Sequence, residues 1–488
     1  MARNPKYRLP SVAGIALAMV LTTGCAGLGP KVQMLALDLA ALPGAYPQAL
    51  EAAGASQQTP ALAAFFQDET LQVLIKTALE NNQERNIVLQ ELRMAENEAK
   101  ARGGEVWPFL SVGGGWEREK VGRYTRAGAV EEGLELAHEK NFPDPLSNFR
   151  LGAQVSWEID IWRKLRNERD GAVLRYLSTV EGQRFLVTHL VAEVAETYYA
   201  LLALDSRLTI LDNTIALQQE ALELVRLQKD AAATTQLAVT KFEAEVLGNQ
   251  SERLVLQQER VLEENRLHFL LGRYPEELAR PAQDFTRLSP PTLAAGVPAD
   301  LLRQRPDVRA AELAVKAAAL DVAAARARFY PSIDLSAALG VEAFQLGRLD
   351  AMPESRAYGL GIDFLAPLLN RAGLKAAYGN ATAEQEQALL RYQQTSLDAY
   401  LEVLNAFSAL KNLSESAALK AQQVSALGNS VDAASRLFSS ARADYMEVLM
   451  TQRDALESRL DLVDLREQQF RAAIRAYAAL GGGTPGAG

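Results

Sequence analysis

The sequence predicts a mainly α-helical chain with a membrane β-barrel, built from two structural repeats. Two long stretches, 161–229 and 368–442, lack proline and have a helical composition. The same order of elements recurs in both halves of the chain. Strict alternation between apolar and polar or small residues predicts four strands, at about 108–118, 149–160, 332–343 and 357–366.

The clearest alternation is FRLGAQVSWEID at residues 149–160. Every second residue from Phe149 to Ile159 is apolar, and every intervening residue from Arg150 to Asp160 is polar or small. A period of two predicts a strand with one apolar face and one wet face. A tilted strand of roughly 9–11 residues is long enough to cross a bilayer.

Four strands in one chain cannot close a barrel that contains a pore, and lipid does not tolerate open sheet edges. If these strands lie in a membrane, several copies of the chain must therefore close one barrel together. Three copies would give twelve strands, whereas two would give eight, in a barrel filled by its own side chains. The alternative that alternation alone leaves open is a pair of solvent-exposed hairpins on a soluble sheet.

The N-terminus has the pattern of a secreted lipoprotein. Residues 1–24 form a secretory signal, with a positively charged start and an apolar run too short to anchor as a helix. The only cysteine, Cys25, follows in LTTGC, which predicts acylation of Cys25. Thr22 stands where such sites usually carry leucine, and the alternative is a chance buried thiol. Residues 25–67 are predicted to form an extended, lipid-anchored tether.

The rest of the chain divides into two repeats of helix, strand, strand, long helix and return helix. The first helix is expected to run from about Asp68 to Arg102 and to end at Gly103-Gly104. At 1.5 Å per residue each long helix would measure about 100 Å, so it needs neighbours along its length. The repeats are placed at 68–273 and 298–482, with a connecting segment at 274–297 and a flexible tail at 483–488.

Composition and motifs argue against several classes of function. The net charge is −9 without a basic block, so nucleic acid is not an expected partner. The histidines His138, His189 and His268 lack metal-ligand spacing, and no nucleophile elbow or phosphate-binding loop is present. We therefore expect no enzyme, no cofactor and no metal. A catalytic pair of Asp160 and Asp363 is less favoured than a lumen-facing or capping role.

The segment Asp300–Glu312, DLLRQRPDVRAAE, resembles the central signature of the TolC family of outer-membrane efflux proteins, in its lipoprotein branch similar to OprM and NodT. Ala325–Ser332, Trp157–Trp162 and Leu480-Gly-Gly resemble further family segments. The resemblance implies a homotrimer, with a twelve-stranded barrel among outer-membrane lipids and a long periplasmic α-helical tunnel. It also implies a passive duct that works with a periplasmic adaptor and an inner-membrane RND-type pump.

The resemblance further implies a pore entrance at the two helix breaks, 230–237 and 441–449. Glu447 is the candidate for an acidic ring there, because three carboxylates at a constriction would favour cations. The alternative is an ordinary carboxylate at a helix start, where the helix dipole favours it. Asp444, Arg442 and Gln236 complete the candidates, Gln236 as the approximate equivalent in the first repeat.

The leading hypothesis is an outer-membrane exit duct for small toxic compounds, with type I protein secretion and metal efflux as alternative cargoes. A hypothesis of another class is a lipid-anchored periplasmic coiled-coil scaffold without a pore. That hypothesis explains Cys25 and the long helices, but it leaves the alternating strands unexplained. An enzyme would need a catalytic site that the sequence does not show.

Overall fold

The computed structural model describes residues 61–134, 143–281, 284–291, 293, 305–440 and 442–482. These residues fall into two compact units. The first unit contains Met94–Tyr176 and Leu313–Leu389, and therefore all four strands. The second contains the described parts of Leu37–Arg93, Leu177–Glu312 and Leu390–Gly488. Cys25, with the predicted signal and most of the tether, lies outside the described residues, as do His138 and the tail from 483 to 488.

The elements follow the predicted order in both halves of the chain. The first half contains α1 (Leu62–Phe65), α2 (Glu69–Asn81), α3 (Gln83–Glu105), β1 (Phe109–Glu119), α4 (Arg126–Glu132), β2 (Leu146–Glu158), α5 (Lys164–Asp230) and α6 (Gln236–Leu270). The second half contains α7 (Pro306–Ala327), β3 (Ser332–Ala343), β4 (Arg356–Leu365), α8 (Ala372–Ser439) and α9 (Tyr445–Ala479).

The four strands form one antiparallel sheet in the order β1-β2-β3-β4. The second strand begins at Leu146 and ends at Glu158, so it is shifted toward the N-terminus relative to the predicted 149–160. It ends early because the Asp160 side chain turns to the start of α5. The long helices α5 and α8 have 67 and 68 residues.

The first helix differs from its prediction in two ways. It is two helices, since Asn82 leaves the helical conformation with ψ 129° and its side chain accepts from Arg85 N at 2.9 Å. The expected stop at Gly103-Gly104 is wrong, because α3 continues to Glu105. Arg102 holds this last turn through ion pairs with Glu98 and Glu105, at 2.9 and 3.3 Å. A helical glycine costs only about 1 kcal/mol relative to alanine, so the glycine pair weakens this turn without ending the helix.

The second unit has a core of aromatic and aliphatic side chains from α1, α2, α5, α6 and α9. Phe65 stacks on Tyr477 with ring centroids 4.1 Å apart, and Tyr199 stacks on Phe470 at 4.3 Å. The fully buried Tyr198 donates its hydroxyl to Asp68 at 2.8 Å. Among the described helices, α5 alone is long and apolar enough to cross a membrane, but 72% of its apolar window is buried in the protein. We therefore assign that window to the core.

The two return helices end in the same way, which makes the repeat visible at atomic detail. Gly272 follows α6 with φ +67°, and Gly481 follows α9 with φ +76°. Three successive amide groups after each helix donate back to equivalent carbonyls, including Gly272 N to Phe269 O and Gly481 N to Ala478 O. A positive φ favours glycine because glycine has no Cβ. The alignment of Leu271-Gly272 with Leu480-Gly481 thus reflects the same type of C-terminal helix cap in both repeats.

Candidate functional site

The sheet has one apolar face that all four strands share. The register places Gly114 opposite Leu151, Leu151 opposite Val341, and Leu339 opposite Tyr358, so the alternating apolar residues fall on one side. Both faces are open to solvent in one protomer, and such a broad exposed apolar surface indicates contact with lipid or protein. The large exposed side chains on this face are Leu110, Val112, Trp116, Leu151, Leu339, Tyr358, Leu360, Ile362 and Phe364.

The opposite face of the sheet is polar and built from small residues. Its cross-strand pairs include Ser111 with Gln154, Gly152 with Gly340, and Asp334 with Asp363. A membrane barrel places its apolar face toward lipid and its polar face toward the lumen. Asp363 therefore belongs to the lumen side, within β4.

Strands β1 and β4 are the edges of the sheet, and each pairs on one side only. Unpaired N–H and C=O groups along an edge are not tolerated in hydrocarbon. The edges therefore need strands from other copies of the chain. The sheet is a segment of a barrel that several chains complete.

The first helix break lies between α5 and α6. Ala232 adopts φ +55° after the end of α5 at Asp230. Thr235 caps α6, because its side chain accepts from Ala238 N at 3.4 Å. Gln236 is the first residue of α6 and is exposed.

The second helix break lies between α8 and α9, and Ala441 within it lies outside the described residues. Arg442 N donates to Leu437 O at 2.8 Å, a hydrogen bond back to the last turn of α8. Asp444 occupies the N-cap of α9 without a capping hydrogen bond from its side chain. Glu447 lies in the first turn of α9 and is exposed. No described residue forms a hydrogen bond or ion pair with its carboxylate.

A buried apolar cluster brings the two breaks together. Phe242 and Val239 of α6 pack in one cluster with Val225 of α5 and Leu449 of α9, and Tyr445 packs against it. The candidates Glu447, Asp444, Arg442 and Gln236 lie on the exposed side of this end of the helices. Counted from the N-caps Thr235 and Asp444, Glu447 corresponds to Ala238, and Gln236 corresponds to Tyr445. The structural equivalence therefore differs by two positions from the one inferred by sequence matching.

Asp160 has a capping role at the start of α5. Its carboxylate accepts from Leu165 N at 3.1 Å and from Arg166 N and Nε at 2.9 Å. Burial raises the pKa of Asp160, but the hydrogen bonds from Arg166 and Leu165 outweigh burial and hold the pKa below its usual range. A carboxylate with these partners is a helix cap. Asp363 is not at a comparable position, because it lies within β4 and pairs with Asp334 of β3.

Sequence reasoning missed two residues, one in each repeat, that form a hydrogen bond with the end of the return helix of the same repeat. Asn82, before α3, donates to Leu270 O at 3.0 Å. Arg305, before α7, donates to Ala479 O at 2.8 Å. Both acceptors are carbonyls near the C-terminal end of a return helix, at equivalent positions before Gly272 and Gly481. The charged member of the pair also binds Asp307 and Glu402, each at 2.8 Å.

The described histidines do not form a metal site. His268 is buried, and its two ring nitrogens lie 3.3 Å from Arg273 Nε and 3.4 Å from Glu276 N; a neutral imidazole accepts at only one of them. His189 packs edge-on against Phe185. Across the part of the chain that the structure describes, no group of three or more His, Cys, Asp or Glu side chains could hold a metal ion.

Known proteins share both the sequence pattern and the fold. The family model for outer membrane efflux proteins matches residues 74–273 and 297–482. The pyoverdine export outer membrane protein OpmQ of Pseudomonas putida is 30% identical over 420 residues, covering 86% of this chain and 87% of that protein. The cation efflux system protein CusC of Escherichia coli O6:H1 is 26% identical over 480 residues, covering 98% and 99%. The open MtrE outer membrane channel of Neisseria gonorrhoeae has the same fold, with a TM-score of 0.80 at 20% identity over 93% of this chain and 98% of that chain.

Proposed function

Since the chain belongs to the outer membrane efflux protein family, we propose that it conducts small toxic compounds, including drugs, passively from the periplasm to the cell exterior. The chain is an outer-membrane exit duct of the tripartite efflux type. The observation that supports conduction most directly is the shared face of the sheet, apolar across four strands and backed by a polar face. We propose no enzymatic role.

The proposed cargo is based on the relatives of this chain and not on its fold. One relative is named for pyoverdine export and another for cation efflux. Metal efflux is the second candidate, because the cation efflux relative matches 98% of the chain. Organic cargo is favoured because the pyoverdine export relative is 30% identical to this chain, compared with 26% for the cation efflux relative. A duct for type I protein secretion remains a third cargo class.

Deletion of the gene tests the cargo directly. We expect greater sensitivity to some antibiotics or dyes, measured as inhibitory concentrations with the partner pump expressed. Complementation by the intact gene should restore resistance. Unchanged sensitivity to every organic compound, combined with greater sensitivity to metal cations, would assign the duct to metal efflux instead.

Channels of this family act as trimers in tripartite pumps. For this chain we propose a periplasmic adaptor and an inner-membrane RND-type pump as the other components. The helix breaks with Glu447, Asp444, Arg442 and Gln236 are the proposed docking end and pore entrance. Their exposed charges lie beside a buried cluster that fixes the ends of α5, α6 and α9 together.

We predict that Glu447→Gln lowers the preference of the open pore for cations. Three copies of this carboxylate around one axis would attract cations, and the substitution removes that charge without changing the shape of the side chain. The measurement is the reversal potential in planar bilayers under a salt gradient. Glu80→Gln is the matched control, since Glu80 is an exposed carboxylate on α2. Equal reversal potentials for wild type and Glu447→Gln would remove Glu447 from the constriction.

We predict that Cys25 carries the lipid anchor. Mass spectrometry of the mature protein should show a chain that begins at Cys25 and carries acyl chains, because a multiply acylated cysteine is a firm membrane anchor. Cys25→Ser should abolish this modification. An unmodified thiol at Cys25 in the mature wild-type protein would contradict the prediction.

A further inference from the structure

Arg150 stands alone as the basic residue on the polar face of the four strands. The other charged residues of that face are acidic: Glu117, Glu119, Glu158, Asp334, Glu342 and Asp363. Arg150 lies on β2, eight residues before the strand ends at Glu158, and it is exposed. Since the polar face lines the lumen, the guanidinium of Arg150 lies along the path of the solute.

The side chain of Arg150 occupies space that is open because residue 115 is glycine. Gly115 of β1 is the cross-strand partner of Arg150. A Cβ at Gly115 would lie 2.9 Å from Arg150 Nε and 3.5 Å from Arg150 Cγ. The arginine side chain therefore lies flat over the β1 backbone, and it covers Gly115, which is less exposed than its strand neighbours. Any larger residue at 115 would displace it.

The carboxylate nearest to Arg150 in the register is engaged elsewhere. Glu342 is the cross-strand partner of Arg150 on β3. Its carboxylate accepts a short hydrogen bond from the Asn148 side chain. None of the described residues forms a hydrogen bond or ion pair with the Arg150 guanidinium. The guanidinium is therefore available to a solute in the lumen, and two of its N–H donors can bind a carboxylate in a bidentate manner.

We infer that Arg150 lowers the preference of the acidic barrel lumen for cations and offers a contact to carboxylate-bearing solutes. This inference rests on the proposed duct function, because it needs a conducting barrel. In a trimer, three guanidinium groups would form a ring at one level of the lumen. That ring lies on the sheet and consists of residues other than the carboxylates proposed at the helix breaks.

The test compares wild type, Arg150→Gln and Arg150→Lys in planar bilayers under a potassium chloride gradient. Loss of three charges facing the lumen should raise the potassium-to-chloride permeability ratio by about twofold or more. Arg150→Lys should stay close to wild type, because it keeps the charge. Citrate, a tricarboxylate, should reduce the conductance of wild type more than that of Arg150→Gln. Recovery of each variant as the wild-type oligomer serves as the folding control.

The outcomes separate this inference from the duct function. A conducting pore whose permeability ratio and citrate sensitivity are the same in wild type and Arg150→Gln would overturn the role of Arg150 and leave the duct intact. A change shared equally by Arg150→Lys would also overturn it, since the charge would then not be the cause. Wild-type protein that never conducts would overturn the duct function itself.

Discussion

Replacement of Gly340 by valine is expected to abolish recovery of the assembled protein from outer membranes. A Cβ at Gly340 would lie 2.5 Å from Leu151 O and 2.8 Å from Gly152 Cα, which are backbone atoms of the neighbouring strand. The backbone cannot move aside without breaking the ladder between β2 and β3, the central pair of the sheet. Overpacking alone typically costs about 1–3 kcal/mol, and here lost ladder hydrogen bonds add to it.

The matched control is Gly359→Val, on the same polar face. Nothing lies within 4 Å of a Cβ built at Gly359, and valine favours strands. We therefore expect this variant to assemble normally. The measurement is the amount of oligomer in detergent extracts of outer membranes. Equal recovery of both variants would show that the close approach of Gly152 and Gly340 does not limit assembly.

Replacement of Arg305 by methionine is expected to destabilise the second unit by about 3 kcal/mol. Arg305 is 4% exposed and donates to Ala479 O, Asp307 and Glu402. Methionine fills a similar volume but leaves Ala479 O and the largely buried carboxylate of Asp307 without their donor, which is costly. Arg305→Lys should also be destabilising, because an ammonium group cannot reproduce the fork that binds Asp307 through two nitrogens.

Asn82→Ala is the matched comparison, since Asn82 occupies the equivalent junction in the first repeat. It loses one buried hydrogen bond to Leu270 O and one cap to Arg85 N. The expected cost is smaller, about 1–2 kcal/mol. Thermal unfolding followed by far-ultraviolet circular dichroism ranks the variants. An Arg305→Met protein with the same melting temperature as wild type would show that the charged junction contributes nothing to stability.

Local patterns made the strands predictable, whereas contacts between distant residues were not. The alternation from Phe149 to Ile159 follows from a sheet with lipid on one side and water on the other. Successive residues of a strand point to opposite faces, so the pattern can be seen in the local sequence. The cross-strand pairing of Gly152 with Gly340 depends on register, which alternation does not determine by itself. The place of Gly115 beneath Arg150 depends on the same register.

The helices show the same limit. Asp68 could be predicted as a cap because capping is local, and it accepts from Leu71 N at 3.2 Å. The stop at Gly103-Gly104 was wrong because glycine weakens a helix without necessarily ending it, and α3 continues to Glu105. Arg305 lies within a segment that resembles the family signature, but its contacts with Glu402 and Ala479 join residues 97 and 174 positions apart. Spacing along the chain could not indicate them.

Three copies of the four-stranded sheet are expected to close one barrel. The most direct test is the mass of the protein extracted from outer membranes in detergent, measured by light scattering with correction for bound detergent. We expect the mass of a trimer, in which the edge strands β1 and β4 of neighbouring copies pair. A monomer would contradict it, because both edges would then remain open in lipid.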